Sequence, residues 1–145
     1  MKLRFAVFLV SCLFAGRLLA SELGLVTAEQ LTAMQQNDNA LVVDVRTPGE
    51  WQSTGIISDS QKLQAFDTNG NFDQEKWLAG LEKLKSSTDQ TVILVCRSGN
   101  RSGKVGRILT EQLGMKNVYH LSNGIQQWIK DGHPVAADCP ASTCK

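Results

Sequence analysis

Apolar positions along this chain switch between two periods, and the switching outlines strands separated by helices. Leu41-Val42-Val43-Asp44-Val45-Arg46 is a short, nearly continuous β-branched run, as expected of a strand covered on both faces. Thr91-Val92-Ile93-Leu94-Val95 repeats that pattern, and Asn117-Val118-Tyr119-His120-Leu121 predicts a further strand. The segments between them read as helices. Thr27-Ala28-Glu29-Gln30 has the spacing of a capping box, with Leu31 and Met34 following at helical intervals. Asn71 or Asp73 can cap a helix in which Trp77, Leu78, Leu81 and Leu84 recur as one buried stripe. Val105, Ile108, Leu109 and Leu113 mark an amphipathic helix closed by Gly114. Ile125, Trp128 and Ile129 line one face of a last short helix, which Gly132 ends and Pro134 prevents from resuming.

The breaks are equally legible. Thr47-Pro48-Gly49 stops the first strand, Ser86-Ser87-Thr88-Asp89 is a polar interruption, and residues 55–63 read as loop with a short strand. Strands alternating with helices of about 10 to 15 residues predict an α/β fold: a mainly parallel sheet reached by right-handed crossovers, with helices on both faces. There is no internal repeat.

Composition adds a boundary. Lys2 and Arg4 precede an apolar run from Phe5 to Phe14, and the small residues Ala15, Gly16, Ala20 and Ser21 follow. Residues 1–20 therefore read as a secretory signal peptide cleaved after Ala20, residues 21–136 as one domain and 137–145 as a tail. The run is short for a membrane span and Arg17 interrupts it, so no stable membrane insertion is expected after cleavage. A lipoprotein-type site at Leu9-Val10-Ser11-Cys12 is the weaker alternative. The expected location is the periplasm or the exterior. Without residues 1–20, 12 basic residues face 14 acidic ones, a net charge of −2, which gives no footprint for nucleic acid or anionic lipid.

Cys96, Cys139 and Cys144 remain after cleavage, and in an oxidising compartment two of three are expected to pair. Cys139 and Cys144 lie close together in the tail, so they are the expected disulfide and Cys96 the free thiol. So short a loop would gain only about 2 kcal/mol from the crosslink.

Cys96 carries the chemistry. It ends a predicted strand and is followed at once by a glycine-containing turn and a helix start, Arg97-Ser98-Gly99-Asn100-Arg101-Ser102; ligands of open α/β sheets bind beyond such strand ends. Curling backbone amides, the positive end of the helix dipole and the guanidinium groups of Arg97 and Arg101 would all favour a thiolate there. The same surroundings would hold an anion, with Ser98, Gly99, Asn100 and Ser102 supplying amides and hydroxyls. Either arginine could instead pair with a carboxylate. Asp44 and Arg46 read as a structural ion pair, and Trp51, Trp77 and Trp128 as core. Neither His120 nor His133 stands at metal-ligand spacing from a cysteine, so neither a metal nor another cofactor is expected.

Three blocks together resemble the single-domain rhodanese family: Val43-Asp44-Val45-Arg46-Thr47-Pro48-Gly49-Glu50-Trp51, the loop Cys96–Ser102, and Gly124 through Trp128 to Gly132-His133-Pro134-Val135. The resemblance implies a rhodanese-like fold with a five-stranded sheet, an active loop around Cys96, and transfer of sulfane sulfur from a donor such as thiosulfate to cyanide or a thiol. One departure stands out. Where the family has Gly-His-Ile-Pro-Gly-Ala, this chain has Gly55-Ile56-Ile57-Ser58-Asp59-Ser60. Two other functions compete: a cysteine-dependent phosphatase or arsenate reductase of the related fold, and a noncatalytic binding module. The former needs one more residue between cysteine and arginine than the four that separate Cys96 from Arg101; the latter has no use for the thiol.

Overall fold

The computed structural model describes residues 21–138. The signal-peptide reading of residues 1–20 and the Cys139–Cys144 pairing lie outside them. Five strands, β1 (Gly24–Val26), β2 (Leu41–Asp44), β3 (Gln61–Lys62), β4 (Val92–Val95) and β5 (Val118–Leu121), form one sheet in the order β1-β5-β4-β2-β3. Every strand pair is parallel.

The helices are α1 (Ala28–Asn37), α2 (Pro48–Thr54), α3 (Gln74–Leu84), α4 (Asn100–Arg107) and α5 (Gly124–Lys130). Alternate residues of the central strands point to opposite faces, and each face has its own core. Val43, Val92, Leu94 and Cys96 pack with Trp77 and Leu81 of α3 and Val105 of α4. Val42, Ile93 and Val95 pack with Leu31 of α1 and with Ile125 and Trp128 of α5. A sheet so covered explains why β2 and β4 are buried at every position.

Start signals hold where they were read. Thr27 and Gln30 form the capping box, and Asp73, rather than Asn71, caps α3. The short strand expected within residues 55–63 is β3, at one edge. Below it the departing segment makes its own turn: the Ser60 hydroxyl donates to the Ile57 carbonyl at 2.6 Å, with Asp59 at φ 61°. Gly55, at φ 76°, leads into an isolated antiparallel bridge between Ile56 and Ala136 that ties the segment after α5 back to it.

Four details depart from the sequence reading. Thr47-Pro48-Gly49 ends a strand, as expected, but also begins α2: Thr47 and Glu50 make a second capping box, with Pro48 in the first turn. Strand β1 was not expected, because three residues are too few for a periodic signal; it adds to the β5 edge. Leu113 is exposed rather than part of the buried stripe: α4 runs on into a π-helical turn, Ile108–Gln112, in which Leu109 and Thr110 are the buried residues, and the changed period leaves Leu113 off the face. Ile129 is also exposed, leaving Ile125 and Trp128 as the buried face of α5.

Candidate active site

Chain order and strand order together create the crevice. From β2 the chain proceeds to β3 on one side, and from β4 to β5 on the other, so the loops beyond β2 and β4 diverge and leave a site between them. Cys96 follows β4 at that point. It is 1% exposed, and its Sγ accepts hydrogen bonds from the Gly99 amide at 3.1 Å and the Ser102 hydroxyl at 3.3 Å.

The loop has two fixed ends. Gly99 sits at φ 96°, a left-handed conformation that turns the chain into α4. At the other end, the Ile125 and Gln126 amides of α5 donate to the carbonyls of Cys96 and Arg97, at 2.9 and 3.0 Å. Those carbonyls are thus tied to the start of α5, while the Gly99 amide serves the sulfur. Gly124 permits the approach: a Cβ there would lie 2.4 Å from the Arg97 oxygen and 2.5 Å from that of Cys96.

The arginines separate. Arg97 is exposed at the rim with Ser98 and Asn100, and their side chains make no hydrogen bond to another described residue. Arg101 turns to α2 instead, donating to Glu50 through both terminal nitrogens at 2.8 and 2.6 Å. That fork holds the Glu50 carboxyl down at about 2, chiefly through the Arg101 hydrogen bonds, against the opposing cost of burial. Glu50 thus belongs to the site's framework, a role the sequence reading missed although its capping-box position was there to be seen.

Asp44 and Arg46 form the expected structural pair. Arg46 Nη2 lies 2.7 Å from the Asp44 carboxylate, and the same guanidinium donates to the Gly55 carbonyl at 2.8 Å and the Thr54 hydroxyl at 2.7 Å. It fastens the end of β2 to the end of α2. Trp51, Trp77 and Trp128 are all buried. Trp77 and Trp128 donate to the Leu63 and Pro134 carbonyls, and Trp51 lies under the Lys62 ammonium at 5.6 Å.

A second missed residue is His120, third in β5. Its Nδ1 lies 3.4 Å from the Ser102 hydroxyl, which in turn touches the sulfur. Burial, with a smaller contribution from Arg107, pushes the imidazole below its ordinary value. Among the described residues no cluster of His, Cys, Asp and Glu could hold a metal ion.

This geometry can be set beside known proteins. Residues 27–131 match the rhodanese-like domain. A sulfurtransferase of Allochromatium vinosum is 30% identical over 104 residues, covering 72% of this chain and 85% of the relative. An uncharacterized protein of Rickettsia rickettsii is 34% identical over 92 residues, covering 62% and 72% respectively. Among solved structures, a rhodanese-related protein from Thermoplasma volcanium superposes with a TM-score of 0.59 at 25% identity, over 79% of this chain and 99% of that one. The polysulfide-sulfur transferase of Wolinella succinogenes gives 0.60 at 16% identity over 85% of each, a likeness of fold alone.

Proposed function

We propose, from the premise that this chain belongs to the rhodanese-like domain family, that it is a sulfurtransferase working through a persulfide on Cys96. The observation that carries the reading is the sulfur's setting: one nucleophilic atom at a strand end, receiving an amide and a hydroxyl hydrogen bond. In the first half-reaction the Cys96 thiolate attacks the outer sulfur of a donor such as thiosulfate. The donor's S–S bond breaks, and sulfite departs with the bonding pair. In the second, a thiol or cyanide attacks the outer sulfur of the persulfide and the Cys96 thiolate leaves. Gly99 and Ser102 serve the sulfur in both. Arg97, Ser98 and Asn100, exposed at the mouth, meet the incoming anion, while Arg101, clamped by Glu50, holds the loop and contributes a partly neutralised positive charge.

The loop argues against phosphatase or arsenate reductase chemistry. It is one residue short between Cys96 and Arg101, and both terminal nitrogens of Arg101 are engaged by Glu50, whereas a tetrahedral oxyanion would need them. A binding module without catalysis would not need a sulfur so supplied with donors. We also read residues 1–20 as an export signal, 21–136 as the domain, and Cys139 with Cys144 as a disulfide, which leaves Cys96 the free thiol of a periplasmic or secreted protein.

The test is intact-mass spectrometry of the mature protein with and without thiosulfate. A gain of one sulfur atom on the wild type, lost with cyanide and absent from Cys96→Ala, supports the reading. No gain, or Cys96-dependent turnover of para-nitrophenyl phosphate instead, overturns it. N-terminal sequencing of the exported protein checks the cleavage site, and a mass gain of two hydrogen atoms on reduction checks the tail.

A further inference from the structure

We propose that His120 is a positioning residue for Cys96: through the Ser102 hydroxyl it sustains a hydrogen-bond chain that stabilises the ionised sulfur and carries the thiol proton to solvent. This rests on Cys96 being the nucleophile of the proposed reaction.

The need is set by burial. Cys96 is 1% and Ser102 0% exposed, so Sγ meets bulk water over very little of its surface and a hydrogen-bonded neighbour offers its proton a ready way out. The Ser102 hydroxyl lies 3.3 Å from Sγ, 3.2 Å from the Gly99 carbonyl and 3.4 Å from His120 Nδ1, and it has one proton to give. The Gly99 carbonyl also accepts from the Gly103 amide at 2.9 Å, so it keeps a donor when the Ser102 hydroxyl turns from it to join sulfur and imidazole. Beyond it the imidazole lies against the backbone of Gly103, where a Cβ would stand 3.4 Å from Cε1. It also lines an open cleft of about 480 Å³ shared with Ser98, Lys104, Arg107 and Asn123. The chain thus runs from a buried sulfur to a wet surface.

In the thiol state, Sγ–H points to Oγ and Oγ–H to Nδ1. When both protons shift, the S–H bond breaks and an O–H bond forms as the original O–H bond gives way to Nδ1–H, leaving thiolate and imidazolium. The imidazolium then releases its Nε2 proton to water in the cleft. The resting product is a neutral imidazole whose Nδ1–H donates to Oγ, while Oγ–H donates to the thiolate. Nothing is oxidised or reduced. Of the groups around the ring, Arg107 and Lys104 on α4 are positive, and Arg107 opposes retention of the proton. Leu25 of β1 and Leu94 of β4, its partners across the sheet, carry no charge. Burial and Arg107 together disfavour the imidazolium, so His120 acts as an outlet and not as a store.

The experiment measures alkylation of Cys96 by iodoacetamide across pH, read on the Cys96 peptide so that Cys139 and Cys144 do not contribute. This reports the thiolate without any sulfur donor. His120→Ala is expected to move the midpoint to higher pH and slow alkylation at neutral pH about three- to tenfold, the loss of one hydrogen bond. Ser102→Ala, which removes the donor to the sulfur itself, should slow it tenfold or more. The decisive arm is the double variant: with Ser102 gone, removing His120 should have no further effect, because His120 acts only through that hydroxyl. His120→Leu, checked for folding by circular dichroism, serves in the same comparison if the alanine variant is unstable. An unchanged midpoint in a folded His120 variant, or the same slowing with and without Ser102, overturns the inference. Sulfur loading from thiosulfate, measured separately on the wild type, tells the two readings apart: loading without a midpoint shift sinks the role of His120 alone, and absence of loading sinks the sulfurtransferase.

Discussion

Gly124→Ala should be the most costly small substitution near the site, and its cost can be apportioned. Gly124 is at φ +63°, and an added Cβ would stand 2.4 Å from the Arg97 oxygen, 2.5 Å from the Arg97 carbonyl carbon and 2.5 Å from the Cys96 oxygen. The left-handed backbone costs an alanine about 1–2 kcal/mol. The contacts are with backbone atoms that cannot rotate away, so relief requires α5 and the loop to separate, at about 1–3 kcal/mol more. A total of about 2–5 kcal/mol is a large part of a small domain's stability. Gly114 supplies the control, because it has φ +65° with nothing within 4 Å of a built Cβ; Gly114→Ala should show the backbone cost alone. Urea unfolding of both variants isolates the difference, and amide exchange at Ile125 and Gln126, which donate to the displaced carbonyls, should quicken only in Gly124→Ala. If the two variants lost equal stability, the claim that Gly124 is needed for close approach of α5 to the loop would be wrong.

Three other outcomes follow from the same contacts. Glu50→Gln should cost about 1 kcal/mol at neutral pH, the worth of a partly exposed ion pair. Because the folded carboxyl is held at about 2, below its ordinary 4.5, the wild-type advantage should be complete above about pH 4.5 and fade as the pH falls towards 2, which acid titrations of both proteins would show. Ile125→Ala should lose about 2–5 kcal/mol and Ile129→Ser less than about 0.5 kcal/mol; comparable losses in denaturant melts would contradict the exposure of Ile129. Thr47→Ala should destabilise by about 1 kcal/mol through loss of the α2 cap, and a thermal shift no larger than that of an exposed control such as Lys116→Ala would argue against the capping box.

Strands β2, β4 and β5, the caps of α1 and α3, and the placement of Cys96 at a strand end before a glycine turn were all legible in the amino-acid sequence. Each depends on residues a few positions apart, whose spacing expresses the local geometry of strand, helix or turn. It also marked the weak points: residues 55–63 were read as loop with a short strand, and the exposed Leu113 and Ile129 fell at the ends of otherwise correct stripes, where a π-helical turn or a last helical turn shifts the face.

Contacts between distant parts of the chain were not legible there. The Arg101–Glu50 fork joins residues 51 positions apart, Ser102 meets His120 across 18, and Gly124 is pressed against Arg97. None is implied by periodicity. They exist because the order β1-β5-β4-β2-β3 brings β5 and its following helix to one side of the Cys96 loop and α2 to the other. Strand order is settled by how both apolar faces of the sheet are covered at once, a property of the whole packed chain that no single segment carries.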